Sequence, residues 1–152
     1  ASEKNLNRYS AAHAVYNLHY HIVFCPKYRR PVLDRLESEL RELFEEKAQE
    51  LNVKLEAMEI MPDHVHLFVS ASPAITPQLI VNQMKGYTSH VLRKRHDWLR
   101  SRLPTLWTRS YYIGSAGVVS QMTIMKYIEN QKNDKHAFIP RLKTGVFPHG
   151  FY

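Results

Sequence analysis

Cysteine is nearly absent: Cys25 is the single one in 152 residues. An internal disulfide and a cysteine-based zinc site are both excluded, and a reducing compartment is the natural home. Glycine is scarce too, at five, and no Gly-rich phosphate loop occurs, so the usual cradle for a nucleoside triphosphate is missing. No apolar run approaches the ~18 residues of a membrane span, and no leader-peptide pattern opens the chain. Internal repeats and low-complexity segments are also lacking. The expectation is a soluble cytoplasmic protein without membrane attachment. Its 152 residues form a single domain, with 1–14 and 133–152 as irregular tails.

Negative charge is in short supply and unevenly placed. Lys and Arg total 21 against 14 Asp and Glu, for a net charge of +7. Residues 34–50 alone hold seven acids and three bases, a local −4, so the remainder carries +11. Two basic clusters stand out: Lys27, Tyr28, Arg29 and Arg30, and the run containing Arg93, Lys94, Arg95, Arg100 and Arg102. Each is interleaved with an aromatic. Such patches attract phosphate backbones, and their aromatics can stack on unpaired bases. A solvated basic face is the simpler alternative, and the second cluster would also complement a helix dipole. The composition favours a nucleic-acid partner, single-stranded or structured.

Periodicity gives the order of elements. Residues 15–25 alternate as a strand that ends at Pro26. Residues 34–51 carry a helical stripe of Leu36, Leu40, Leu43, Phe44 and Leu51 opposite the acids. Segments 53–60 and 64–70 read as strands around the break Met61-Pro62-Asp63. Thr76-Pro77 caps a helix that runs to about residue 97. Aromatic and β-branched content makes 105–113 a strand, followed by a loop from Gly114 to Gly117 and a helix over 121–132 capped by Ser120. The order β-α-β-β-α-β fits an α+β fold. Its ferredoxin-like or RRM-like split βαβ places an antiparallel sheet with helices on one face, plus a C-terminal helix.

Within MPDHVHLFVSA, residues 61–71, an extended chain turns His64, His66 and Phe68 to one side and Val65, Leu67 and Val69 to the other. Two imidazoles then project from one spot on an apolar backing, which suits a metal pair or two polar residues on a half-wet sheet face. His19-Tyr20-His21 repeats the spacing and competes for the role. On the last helix, Tyr127 and Gln131 lie four apart and share a face. By spacing alone that tyrosine reads as packing beside the core stripe of Ile124 and Ile128.

Taken together, YHIVFCPKYRRPVL (20–33), MPDHVHL, LPTLWT (103–108) and KYIENQ (126–131) resemble the single-tyrosine HUH transposases of bacterial and archaeal insertion sequences, the IS-two-hundred and IS-six-oh-five type. The likeness spans roughly residues 15–132. It implies a DNA transposase that cleaves and rejoins single-stranded DNA at hairpin ends through a 5′-phosphotyrosine intermediate, with Tyr127 as nucleophile on the C-terminal helix. It implies His64, His66 and Gln131 as ligands of a divalent metal, Mg2+ or Mn2+. Lys27, Tyr28, Arg29, Arg30, Arg93, Lys94 and Arg95 become DNA-binding candidates, and a homodimer with active sites shared between subunits is expected. His21 belongs to the first motif, as packing or as DNA contact. Asp63 and Glu129 border the catalytic motifs and read as a turn former and a solvated helix residue. Two alternatives share the chemistry or the sheet: a domesticated transposase associated with repeated palindromes, and a non-catalytic single-stranded nucleic-acid-binding module.

Overall fold

A computed structural model describes residues 9–11, 14–16, 18–115 and 126–130. Strands β1 (Tyr9–Ala11) and β2 (Ala14–Tyr16) form a separate two-stranded sheet among the described residues. They are followed by β3 (Leu18–Phe24), α1 (Glu37–Leu51), β4 (Lys54–Met61), β5 (His64–Ala71), α2 (Pro77–Arg95), α3 (Asp97–Arg102) and β6 (Tyr112–Ser115). The main sheet is antiparallel, in the order β4-β5-β3-β6. This is the α+β arrangement expected from the pattern.

One sheet face supplies the core. Val65, Leu67, Val69 and Ala71 of β5 and Ile22 and Phe24 of β3 are buried against Leu40, Leu43, Phe44 and Ala48 of α1 and Ile80, Val81, Met84 and Leu92 of α2. Each large aliphatic buried this way contributes about 1.5–3 kcal/mol relative to exposure. The helices begin and end where the local chemistry dictates. The Thr76 hydroxyl accepts from the Leu79 N–H at 3.1 Å, with Pro77 at the first helical position. Asn52 takes the left-handed conformation (φ 58°) that closes α1, and its N–H donates to the carbonyls of Ala48 and Gln49.

Three differences from the sequence reading have physical reasons. The strand expected over 15–25 is confined to Leu18–Phe24, while Ala14–Tyr16 joins a local ribbon with Tyr9–Ala11, inside a segment expected to be loose. That pairing involves three residues a side, too few to leave a period-two signal. The strand expected over 105–113 is instead Tyr112–Ser115, and Gly114 lies in it, not in a loop. Residues 105–111 are irregular but anchored: Trp107 bridges Pro26, Lys27 N–H donates to Leu106 O, and the Trp107 indole donates to Thr88 Oγ1 at 3.0 Å. Their aromatic content reports core anchoring, not strand pairing. The long helix ends at Arg95, where His96 turns extended (φ −126°, ψ 101°), and a short α3 follows, held by buried Leu99. Finally, 126–130 are helical as expected, whereas Gln131, the Ser120 cap and the 133–152 tail lie outside the described residues.

Candidate active site

With α1 and α2 against one face of the sheet, the other carries the polar residues. The register places Glu59, His66, Val23 and Tyr112 in one row and Ala57, Phe68, His21 and Gly114 in the next. His64 and His66 face this side, while the intervening Val65 is fully buried in the core. The alternation expected of the HVH run is therefore present, and its apolar backing holds both imidazoles on a rigid strand.

His64 is held from behind. Its Nδ1 lies 2.9 Å from Asp63 Oδ1, and Asp63 Oδ2 accepts from Arg29 Nε at 2.6 Å. Burial raises the Asp63 pKa, but hydrogen bonds from His64 and Arg29 and the Arg29 charge outweigh it, leaving the carboxyl below its ordinary range. An ionised carboxylate only accepts, so Nδ1 of His64 is the donor, the tautomer whose neutral ring carries its lone pair on Nε2. Asp63 is thus both a turn residue and the orienter of its neighbour.

His66 has a comparable environment. Its Nδ1 faces Glu59 Oε1 at 3.7 Å, and its Nε2 lies 2.9 Å from Nδ1 of His21. Burial and the nearby His21 hold the His66 pKa below its usual value, and burial lowers that of His21. Both rings are neutral at pH 7, the state in which imidazole binds metals. His21 is therefore neither simple packing nor a free surface group: it sits on a candidate ligand atom. Its strand neighbour His19 is tied elsewhere. Nδ1 of His19 is 2.7 Å from Ser70 Oγ, the Ser70 hydroxyl donates to Glu56 Oε1, and the ring stacks on Phe68 at 5.5 Å. The competing His-X-His pair is thereby split between two networks. Beside His66 the face opens into a depression of about 370 Å³ lined by His21, Ala57, Met58, Glu59, His66 and Phe68.

Tyr127 packs on this same face and is fully buried. Its hydroxyl is 3.2 Å from Ser110 Oγ, and its ring centroid is 6.1 Å from that of Tyr112. Burial, and secondarily Cys25, push its pKa well above 10, so the phenol here is neutral and shielded. The adjacent Ile128 carbonyl accepts from Arg29 Nη1 at 2.9 Å. Glu129 is exposed, in keeping with a solvated residue. Lys85 braces the segment carrying Ser110: its ammonium donates to the carbonyls of Thr108 (2.6 Å), Arg109 (3.3 Å) and Ser110 (3.4 Å), and burial lowers its pKa to about 8.

The donor set suits a divalent ion in kind: two imidazoles, each with a carboxylate beside its Nδ1 and Nε2 turned away from it. Among the described residues no three His, Cys, Asp or Glu side chains already converge on one point. Further ligands would come from groups such as the Gln131 amide, which lies outside those residues.

The basic candidates divide sharply. Arg30 and Lys94 are exposed, and Lys27 lies 5.4 Å from the centre of the Tyr28 ring, which is itself 42% exposed. Arg29 points inward, its side chain only 12% exposed. Arg93 donates to Leu103 O at 2.7 Å, and Arg95, although exposed, donates to Glu39 Oε1 at 3.1 Å. Arg102, which the sequence reading did not select as a site residue, is exposed, and with Arg30, Pro31 and Val32 it lines a second depression of about 370 Å³. Spacing held no signal for Ser110, Glu59 or the inward turn of Arg29, because each depends on long-range register.

A family model described as "Transposase IS200 like" matches residues 14–131. Among curated proteins, the ISDra2 transposase TnpA of Deinococcus radiodurans is 34% identical over 77% of this chain and 86% of its own length. The transposase for insertion sequence element IS200 of Salmonella typhimurium is 32% identical over 80% of this chain and 82% of its own. Among solved structures, one described as a transposase from Deinococcus radiodurans superposes with a TM-score of 0.72 at 32% identity, covering 81% of this chain and 97% of that one. A REP-associated tyrosine transposase bound to a REP hairpin shares the fold, at a TM-score of 0.54 and 12% identity over 92% and 88% of the two chains. No helix among the described residues is long and apolar enough to cross a membrane.

Proposed function

The chain belongs to the IS200-like transposases, and on that premise we propose that it cuts and rejoins single-stranded DNA at hairpin ends through a covalent bond to Tyr127. The observation that carries this reading is one sheet face shared by His64, His66 and the helical turn of Tyr127. The Tyr127 oxygen attacks the scissile phosphorus. A phenol O–P bond forms as the P–O3′ bond breaks, the phenolic proton passes to solvent, and the departing 3′ oxygen takes up a proton. The 5′-phosphotyrosine conserves the phosphodiester's free energy, so a 3′-hydroxyl can later reverse the step without a nucleoside triphosphate. His64, His66 and Gln131 would hold Mg2+ or Mn2+; when bound, such an ion neutralises charge on the phosphate oxygens. Imidazole ligands suit Mn2+ better than Mg2+.

Where it docks, Tyr127 cannot reach DNA, so its helix must leave the face. We infer that it serves a partner subunit in a homodimer with shared sites. Arg30, Lys94, Arg95, Lys27 and Tyr28 are the accessible DNA contacts among the candidates, with Arg102 beside Arg30. The relative seen bound to a REP hairpin supports hairpin recognition. The insertion-sequence reading is favoured over the palindrome-associated one by 34% against 12% identity. A purely binding module has no use for an oriented histidine pair beside a buried tyrosine.

The test is a labelled single-stranded hairpin incubated with the protein and Mn2+, then run on a denaturing gel. A covalent adduct is expected from the native chain and none from Tyr127→Phe; an adduct with the variant moves the nucleophile to another tyrosine. For the shared site, inactive Tyr127→Phe and His64→Ala chains are mixed and allowed to exchange. Recovered cleavage supports sharing, and its absence in proven heterodimers places each site within one subunit.

A further inference from the structure

Arg29 reaches two other segments at once. Its Nε donates to Asp63 Oδ2 (2.6 Å) at the entry to β5, and its Nη1 donates to the Ile128 carbonyl (2.9 Å) beside Tyr127. The other Asp63 oxygen accepts from His64 Nδ1 at 2.9 Å. An unbroken line of hydrogen bonds thus runs from the Tyr127 helix through Arg29 and Asp63 to His64. The backbone is bent to make it: Tyr28 (φ 59°) and Arg29 (φ 51°) both occupy the left-handed region, uncommon for side chains of this size. Two consecutive residues held there turn one arginine inward while its neighbour Arg30 stays exposed.

We propose that Arg29 and Asp63 are a positioning pair that fixes the His64 ring with Nε2 offered to a divalent cation, so that Arg29 is not a DNA contact although it sits among DNA-facing residues. The inference rests on the metal reading above. A phosphate would have to displace Asp63 to reach a guanidinium only 12% exposed. Without Arg29, the Asp63 carboxylate loses its charged partner and turns away, and the His64 ring is free to swap tautomers. Lysine cannot substitute, because one ammonium does not reproduce the planar edge that serves a carboxylate and a carbonyl together.

The test uses the full chain without DNA. Mn2+ binding is followed by paramagnetic resonance, the His64 tautomer by 15N NMR and hairpin affinity by fluorescence anisotropy, in the native chain and in Arg29→Lys, Asp63→Asn, Arg30→Ala and His64→Ala. Arg29→Lys is expected to weaken Mn2+ binding about 10- to 100-fold, to mix the His64 tautomers and to leave hairpin affinity within about twofold. Asp63→Asn should act in the same direction, and the double variant should be no worse than the more affected single, as for one connected unit. Arg30→Ala should do the reverse, losing hairpin affinity alone. The proposal is overturned if His64→Ala abolishes Mn2+ binding while Arg29→Lys and Asp63→Asn leave it unchanged, or if Arg29→Lys costs mainly hairpin affinity. If the native chain binds no Mn2+, the metal reading falls and this inference with it. Should Arg29→Lys fail to fold, Asp63→Asn decides.

Discussion

Ser110 and Tyr127 meet hydroxyl to hydroxyl at 3.2 Å, and neither has appreciable exposed surface. The contact holds the Tyr127 phenol against its own sheet. A hydrogen bond of this kind is worth about 1 kcal/mol net, so Ser110→Ala should raise the undocked fraction of the 126–130 turn about fivefold. Amide hydrogen exchange in that turn measures the change. Unaltered exchange would mean that packing on Tyr112 holds the helix without the hydroxyl.

The two His-X-His pairs should separate cleanly by substitution. His64→Ala and His66→Ala are each expected to abolish metal-dependent cleavage with hairpin affinity nearly intact. His19→Ala should leave metal affinity unchanged and cost roughly 1 kcal/mol in urea unfolding through the lost Ser70 bond. Equal loss of metal binding from His19→Ala, measured calorimetrically, would relocate the site to β3.

Asp63 predicts an acid limit. Its pKa in the folded chain lies below the ordinary 3.8, so the unfolded chain takes up a proton first as pH falls. The stabilisation is full above about pH 4, by roughly 1–3 kcal/mol for charge-assisted bonds, and is lost as pH drops through the folded value. In urea titrations, the gap between the native chain and Asp63→Asn should therefore narrow below pH 4. A constant gap would show that the carboxylate's charge adds nothing to stability.

Among the arginines, burial should decide the phenotype. Arg93→Ala removes the donor to Leu103 O and should lower stability by about 1–2 kcal/mol, with little change in the salt dependence of DNA binding. Lys94→Ala and Arg30→Ala should leave stability alone and reduce the salt slope by about 1 each. Reversed outcomes would restore Arg93 to the interface.

The sequence carried the fold where periodicity was long. The Leu40–Phe44 stripe, the Thr76-Pro77 cap and the Val65–Val69 alternation all mark elements that the structure contains. It failed where structure follows from contacts distant in sequence. Trp107 looked like a strand residue because an aromatic in a core-anchored loop and one in a strand have the same composition. His64 and His66 were legible because their spacing is local. That His21 would rest on His66 required the β3–β5 register, 45 residues apart in sequence. Arg29 was grouped with its surface neighbours because charge patterning cannot show which member of KYRR turns inward; that follows from two left-handed backbone angles.

The buried phenol of Tyr127 also bears on restraint. An enzyme that can sever any accessible single strand is a hazard to the cell that makes it, above all during replication. On the proposed mechanism readiness is a matter of population: every 1.4 kcal/mol by which the tyrosine helix prefers its berth lowers the armed fraction tenfold. A DNA end that binds only the armed form must supply that free energy from its own contacts. On the proposed mechanism, chance encounters with unstructured strands supply less of it than a matched hairpin, so part of the selectivity would reside in how firmly Ser110 and Tyr112 hold the docked tyrosine.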